Sequence, residues 1–188
     1  MTIVLAVILV ITVIALLVYM LKQKPVTTAQ QLIQQGRYGE AVQAAANDPL
    51  HQAEALKLLG RFEEAIEAYR RSDDPAAREG IALSLAHLGR DLDEAQKLME
   101  EQIALYPQIQ EFQALGLAYI LLRAGKREDA MRIFRDNQEL LETRFRDDYT
   151  DPDPLLAETL WMYAELSGDE KLREKAAAWA PGSVWSRG

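Results

Sequence analysis

The sequence predicts an all-α chain: one membrane-spanning helix, then a row of about five helical hairpins. Three observations predict it. Residues 3–21, IVLAVILVITVIALLVYML, carry no charge. After residue 26 the good helix formers Ala, Leu, Glu, Gln and Arg dominate, and runs of Val, Ile and Thr are nearly absent. A short pattern opening on Gly and a basic residue recurs: GRYGEAVQAA at 36–45, GRFEEAIEAY at 60–69, then GRDLDEAQKL at 89–98 and GKREDAMRIF at 125–134.

The first element, residues 1–24, reads as an anchor with its flank. As a helix, 3–21 spans roughly 28 Å, close to the hydrocarbon thickness of a bilayer. Fourteen of its residues are Leu, Ile or Val, which favours insertion by about 4–8 kcal/mol. A cleaved signal peptide needs a basic start, a shorter apolar run and a small-x-small cleavage site. No Lys or Arg precedes residue 22, and YMLKQKP offers no such site. Lys22 and Lys24 follow the helix, so the positive-inside rule directs the large domain to the cytoplasm. An exported domain is the alternative. Pro25 stops the helix, and 25–29 is a linker that holds the next domain near the bilayer.

The hairpins occupy 30–142. In each copy the Gly, at 36, 60, 89 and 125, ends one helix, and the basic residue after it suits that helix's C-terminal dipole. Acids then suit the start of the next helix. Ala41, Ala65 and Ala130 follow their Gly by five residues and Ala95 by six, giving a small residue where two helices cross. Apolar positions before the Gly match as well: Ala53 and Leu56; Ile81, Ala82 and Leu85; Leu117, Ala118 and Leu121. Pro107 ends the helix that follows Ala95. Residues 143–180 form a capping hairpin, in which Asp153 caps a helix, Pro154 fills its first turn and Gly168 stops it. Leu156, Leu160, Tyr163 and Ala164 share a face there, and Trp161 and Trp179 cover the open core end. Residues 181–188 are a tail. Its Trp185 either folds back on the last helix or docks on a partner or the bilayer.

This arrangement resembles the tetratricopeptide repeat family over roughly residues 27–142. The carriers are GRYGEA and GRFEEA, the Leu and small residue of the preceding helices, and Pro107. The family's Trp is absent from the first helices and the first two units are short, so the array is degenerate. The resemblance implies an α-solenoid whose first helices line a concave, partner-binding face. That face would take Glu79, Leu83 and His87 from the third hairpin, and Phe112, Leu115, Tyr119 and Leu122 from the fourth. A hydrophobic peptide or helix is then the natural ligand. The other reading makes Leu115 and Tyr119 core between hairpins. The family's carboxylate clamp uses Asn, and Asn47 and Asn137 fall outside the first helices, which disfavours a chaperone tail as ligand.

Chemistry is sparse. With 21 basic and 29 acidic residues the net charge is −8, which disfavours nucleic acid. There is no Cys, hence no thiol nucleophile or zinc–thiolate site. His51 and His87 lack acid partners at motif spacing, and no metalloprotease, phosphate-loop or serine-hydrolase motif occurs. Asp147, Asp148, Asp151 and Asp153 are dense enough for calcium, but the loop glycine and distal Glu are missing; a solvated loop explains them. No enzyme, cofactor, metal or small-molecule substrate is expected. The expected role is a single-pass scaffold or adaptor in the cell membrane that binds proteins, integral membrane proteins among them. The alternatives are a constitutive subunit of a membrane complex and, for an exported domain, an envelope, pilus or secretion assembly factor.

Overall fold

The computed structural model describes residues 28–107, 110–147 and 151–187. The segment 3–21, its lysines and most of the linker lie outside these residues. Among the described residues no helix is long and apolar enough to cross a membrane.

The described chain is all-helical, with ten α-helices in five successive hairpins. They are α1 (Ala29–Gln34) with α2 (Tyr38–Ala44), α3 (Pro49–Leu58) with α4 (Phe62–Tyr69), and α5 (Ala76–Leu88) with α6 (Leu92–Leu105). Next come α7 (Gln110–Arg123) with α8 (Arg127–Asp147), and α9 (Ala157–Ser167) with α10 (Glu170–Trp179). Short 3₁₀ turns at Pro154–Leu156 and Val184–Ser186 flank the last pair.

The recurring pattern is a stop-and-start unit. Gly36, Gly60, Gly89 and Gly125 all adopt φ between 67° and 77°, the left-handed conformation that ends a helix. In the first two copies Arg37 and Arg61 reach forward to Glu40 and Glu64. The Ala of every copy is the fourth residue of its helix, and Ala41, Ala65, Ala95 and Ala130 are fully buried. The third copy has one residue more before its Ala. Asp91 absorbs it by taking φ 50° ahead of the helix, so the packing register is kept.

Other ends follow from local chemistry. Thr28 and Gln31 cap α1 reciprocally, each side chain accepting from the other's backbone N–H. Asp48 accepts from His51 N, with Pro49 opening α3. Asp153 accepts from Leu155 N as expected, but it caps the 3₁₀ turn that precedes α9. Helix α8 runs on through 142–143, where the capping hairpin was expected to begin. No Gly or Pro stands between Gly125 and Pro152, so nothing stops it earlier.

Within each hairpin the helices pack together, and α1, α3, α5, α7 and α9 touch one after another. Two glycines set close approaches. A Cβ on Gly80 would lie 2.3 Å from the Tyr69 ring, and one on Gly116 would lie 2.8 Å from Met99 Cε. The end of the chain then returns to its beginning. Gln34 Nε2 donates to Asp153 Oδ1 at 3.0 Å. A Cβ on Gly60 would come within 3.2 Å of Val184 Cγ2, and one on Gly36 within 3.8 Å of the Pro181 carbonyl.

Candidate interaction site

The face expected to be an open groove is filled by the chain itself, which corrects the expectation drawn from the resemblance. Leu83, Leu115 and Tyr119 are buried core. The His87 side chain is 4% exposed. Phe112 and Leu122 are half-buried against the same core. Glu79 is half-buried and lines a cavity of about 380 Å³ with Phe112, Glu54, Lys57, Glu158 and Trp185. The physical reason is the C-terminal hairpin: α9 lays Glu158 against α3 and α5 and Trp161 against α5 and α7, and the tail inserts Trp185.

Trp185 is 5% exposed, so it folds back. Its partners are wider than the last helix. Its ring centroid lies 4.8 Å from His87, 5.4 Å from Trp161 and 6.2 Å from Phe62. Phe62 and His87 stack at 4.9 Å and 19°. Tyr119 meets Trp161 edge-on at 5.6 Å and 79°. Rings from four helices therefore build one aromatic slot, and Trp185 from the tail turn fills it.

Beneath the slot runs a chain of hydrogen bonds. Arg123 Nη1 donates to Tyr119 Oη at 3.1 Å. Tyr119 Oη and His87 Nδ1 share a hydrogen bond at 3.1 Å, and His87 Nε2 donates to the Glu158 carboxylate at Oε1, 2.8 Å away. Lys57 Nζ donates to the other oxygen, Glu158 Oε2. Burial pushes the Glu158 carboxyl up, but Lys57 and the His87 hydrogen bond more than offset it and hold it at about 2. Burial works against the Lys57 charge too, and Glu158 outweighs it, so the ammonium stays well above its ordinary value. Burial pushes the Tyr119 phenol up to about 12 against the pull of Arg123.

The cavity wall carries two further carboxyls. Burial raises Glu54 and Glu79 above the ordinary carboxylate value, and Lys57 opposes it in both. Glu54 Oε2 is buried without a hydrogen-bond partner.

The sequence places Glu79, Leu83, His87, Phe112, Leu115 and Tyr119 on the helices that meet here, while Trp185 was expected against the last helix, a partner or the bilayer. Lys57, Phe62, Glu158 and Trp161 were not recognised as members. Glu158 sits in the first turn of α9, where an acid reads as a response to the helix dipole. Its partner Lys57 is 101 residues away, so no local spacing reveals the pair. Phe62 carried a signal, as the aromatic of the Gly-Arg pattern. Of the calcium candidates, Asp148 and the Asp147 side chain lie outside the described residues, while Asp153 is engaged as a cap. Among the described residues no group of His, Asp or Glu is placed to hold a metal ion. What the arrangement does chemically is hold an aromatic side chain against other rings over a fixed polar floor.

Comparison with family models, with curated proteins and with solved structures gives no match to this chain.

Proposed function

We propose that the chain is a membrane-tethered, tetratricopeptide-like interaction module that binds a protein partner beside the bilayer and catalyses no reaction. The observation that carries the reading is the aromatic slot. The order of contacts among α1, α3, α5, α7 and α9 supports a solenoid of hairpins, in which the first helices form the inner face. His87 and Trp161 on those helices, with Phe62 from the start of α4, surround a tryptophan delivered by a short segment, and Tyr119 packs against His87 and Trp161. Buried aromatic anchors of this kind dominate protein interfaces. The uncharged segment 3–21 supplies the tether and Lys22 and Lys24 the orientation, with the module in the cytoplasm.

Affinity purification of the full chain from membranes in mild detergent, with crosslinking mass spectrometry, tests the reading. Crosslinks from soluble proteins to the helical domain make the chain a recruiting adaptor. Stoichiometric recovery of integral membrane proteins, crosslinked near Lys22 and Lys24, makes it a constitutive subunit. Recovery of neither sinks the proposal.

A further inference from the structure

The tail is built as a separable piece. Residues 182–187 fold onto themselves: Gly182 N donates to Ser186 Oγ at 3.1 Å, Trp185 N to Ser183 Oγ at 3.1 Å, and Ser186 Oγ to Ser183 O at 2.8 Å. Arg187 Nη2 reaches back to Gly182 O at 3.3 Å. These bonds close a small loop that presents Val184 and Trp185 outward as two side-chain knobs. Val184 sits on the Gly60 turn, and Trp185 enters the slot between Phe62, His87 and Trp161. The loop joins α10 through exposed Pro181 and Gly182, with Gly182 at φ 79°. One backbone bond crosses this joint, Ser183 N to Ala180 O at 3.1 Å; once it opens, rotation about the two exposed residues lets the knobs withdraw while the bonds within 182–187 stay intact. Of the slot walls, Phe62 and His87 belong to the second and third hairpins and Trp161 to α9, whose helix carries its own backbone bonds.

We propose that Trp185 is a replaceable occupant, and that the slot is a binding site for a tryptophan-bearing segment of a partner protein, which competes with the tail. The inference rests on the interaction role proposed above and names its ligand chemistry. The tail itself defines that chemistry: an indole, preceded by a small β-branched knob, on a tight turn that consumes its own backbone hydrogen bonds. Side chains supply the recognition, so the partner segment needs no strand or helix of its own.

The test uses a fluorescein-labelled peptide of residues 181–188, PGSVWSRG, with the full chain and the chain ended at Ala180, both in detergent micelles. Circular dichroism checks that the shortened chain keeps its helices. The expected result is saturable binding of the peptide to the shortened chain, with at least tenfold weaker apparent affinity for the intact chain. The same peptide with Trp185→Ala should bind neither. A folded shortened chain that ignores the peptide overturns the proposal. Should the shortened chain lose its helices, hydrogen exchange on the intact chain decides. The Ser183 amide, whose bond to Ala180 O crosses the joint, exchanging faster than the amides of α5 and α9 supports a tail that opens by itself; equal protection overturns it. Dimerisation of the intact chain that Trp185→Ala abolishes assigns the slot to a second copy and overturns the partner claim. Capture of a membrane partner by a chain whose slot stays closed removes this inference and leaves the interaction role standing.

Discussion

Glu158 is a buried acid that joins three helices. It accepts from Lys57 and His87 and ties α9 to α3 and α5. Glu158→Ala leaves a buried ammonium without its counter-charge, and the expected loss is about 3–5 kcal/mol in urea unfolding. The double variant Lys57→Met/Glu158→Leu removes both charges and should recover most of that loss; a double variant as unstable as the single one refutes the account. Acid titration reads the same pair. The Glu158 carboxyl is held at about 2 against an ordinary 4.5, so its stabilisation is complete above pH 4.5 and fades as pH falls toward 2. Glu54 and Glu79 have the opposite sign. Their raised values cost stability at neutral pH, and that cost disappears as they protonate on the way down to 4.5. Stability of the wild type should therefore rise slightly on mild acidification and then fall. Glu79→Gln should raise the melting temperature at pH 7 and flatten the first limb. The double variant should flatten the second.

At the scale of elements, the hairpins meet where glycines let them. Gly80→Ala drives a methyl into the buried Tyr69 ring, which is held between α4 and α5, and about 1–3 kcal/mol of stability should go. Gly116→Ala meets the mobile end of Met99 and should cost less than half as much. Equal losses would mean that ring and thioether yield alike. The hairpins, their glycine stops and the buried alanines were legible in the sequence because each is written within about ten residues. The Ala kept its register even where Asp91 inserted a residue, so counting from the helix start works better than counting from the Gly. The end of α8 was misread because acidic, solvated residues near 143 looked like a loop. Helix propensity and the absence of a breaker carried that helix on to Asp147. Leu83, Leu115 and Tyr119 lie on the expected helices, but as buried core and not as the lining of an open face. What covers that face comes from residues 157–187, and no periodicity within a hairpin encodes where a distant hairpin returns.

At the scale of the whole molecule, the return of the C-terminus separates this chain from an open array. Open arrays unfold piecewise, since each unit touches only its neighbours. Here Asp153, Glu158, Val184 and Trp185 touch the first two hairpins. Helicity and tryptophan fluorescence should thus be lost in one coincident urea transition. Trp185→Ala should lower the midpoint by the equivalent of about 3–5 kcal/mol and split the transition into two.

The same return has a bearing on the order in which the chain is made. A ribosome releases the N-terminal hairpins first, yet Lys57 lacks its hydrogen-bonded carboxylate until Glu158 follows, and Gly60 faces an unfilled slot until Val184 and Trp185 emerge. The growing chain cannot complete its earliest units as it goes. The early hairpins wait for residues 158–185, and a chain that stops before Glu158 carries an uncovered aromatic slot and a lysine without its partner, the kind of exposed surface that quality-control proteases and chaperones act on.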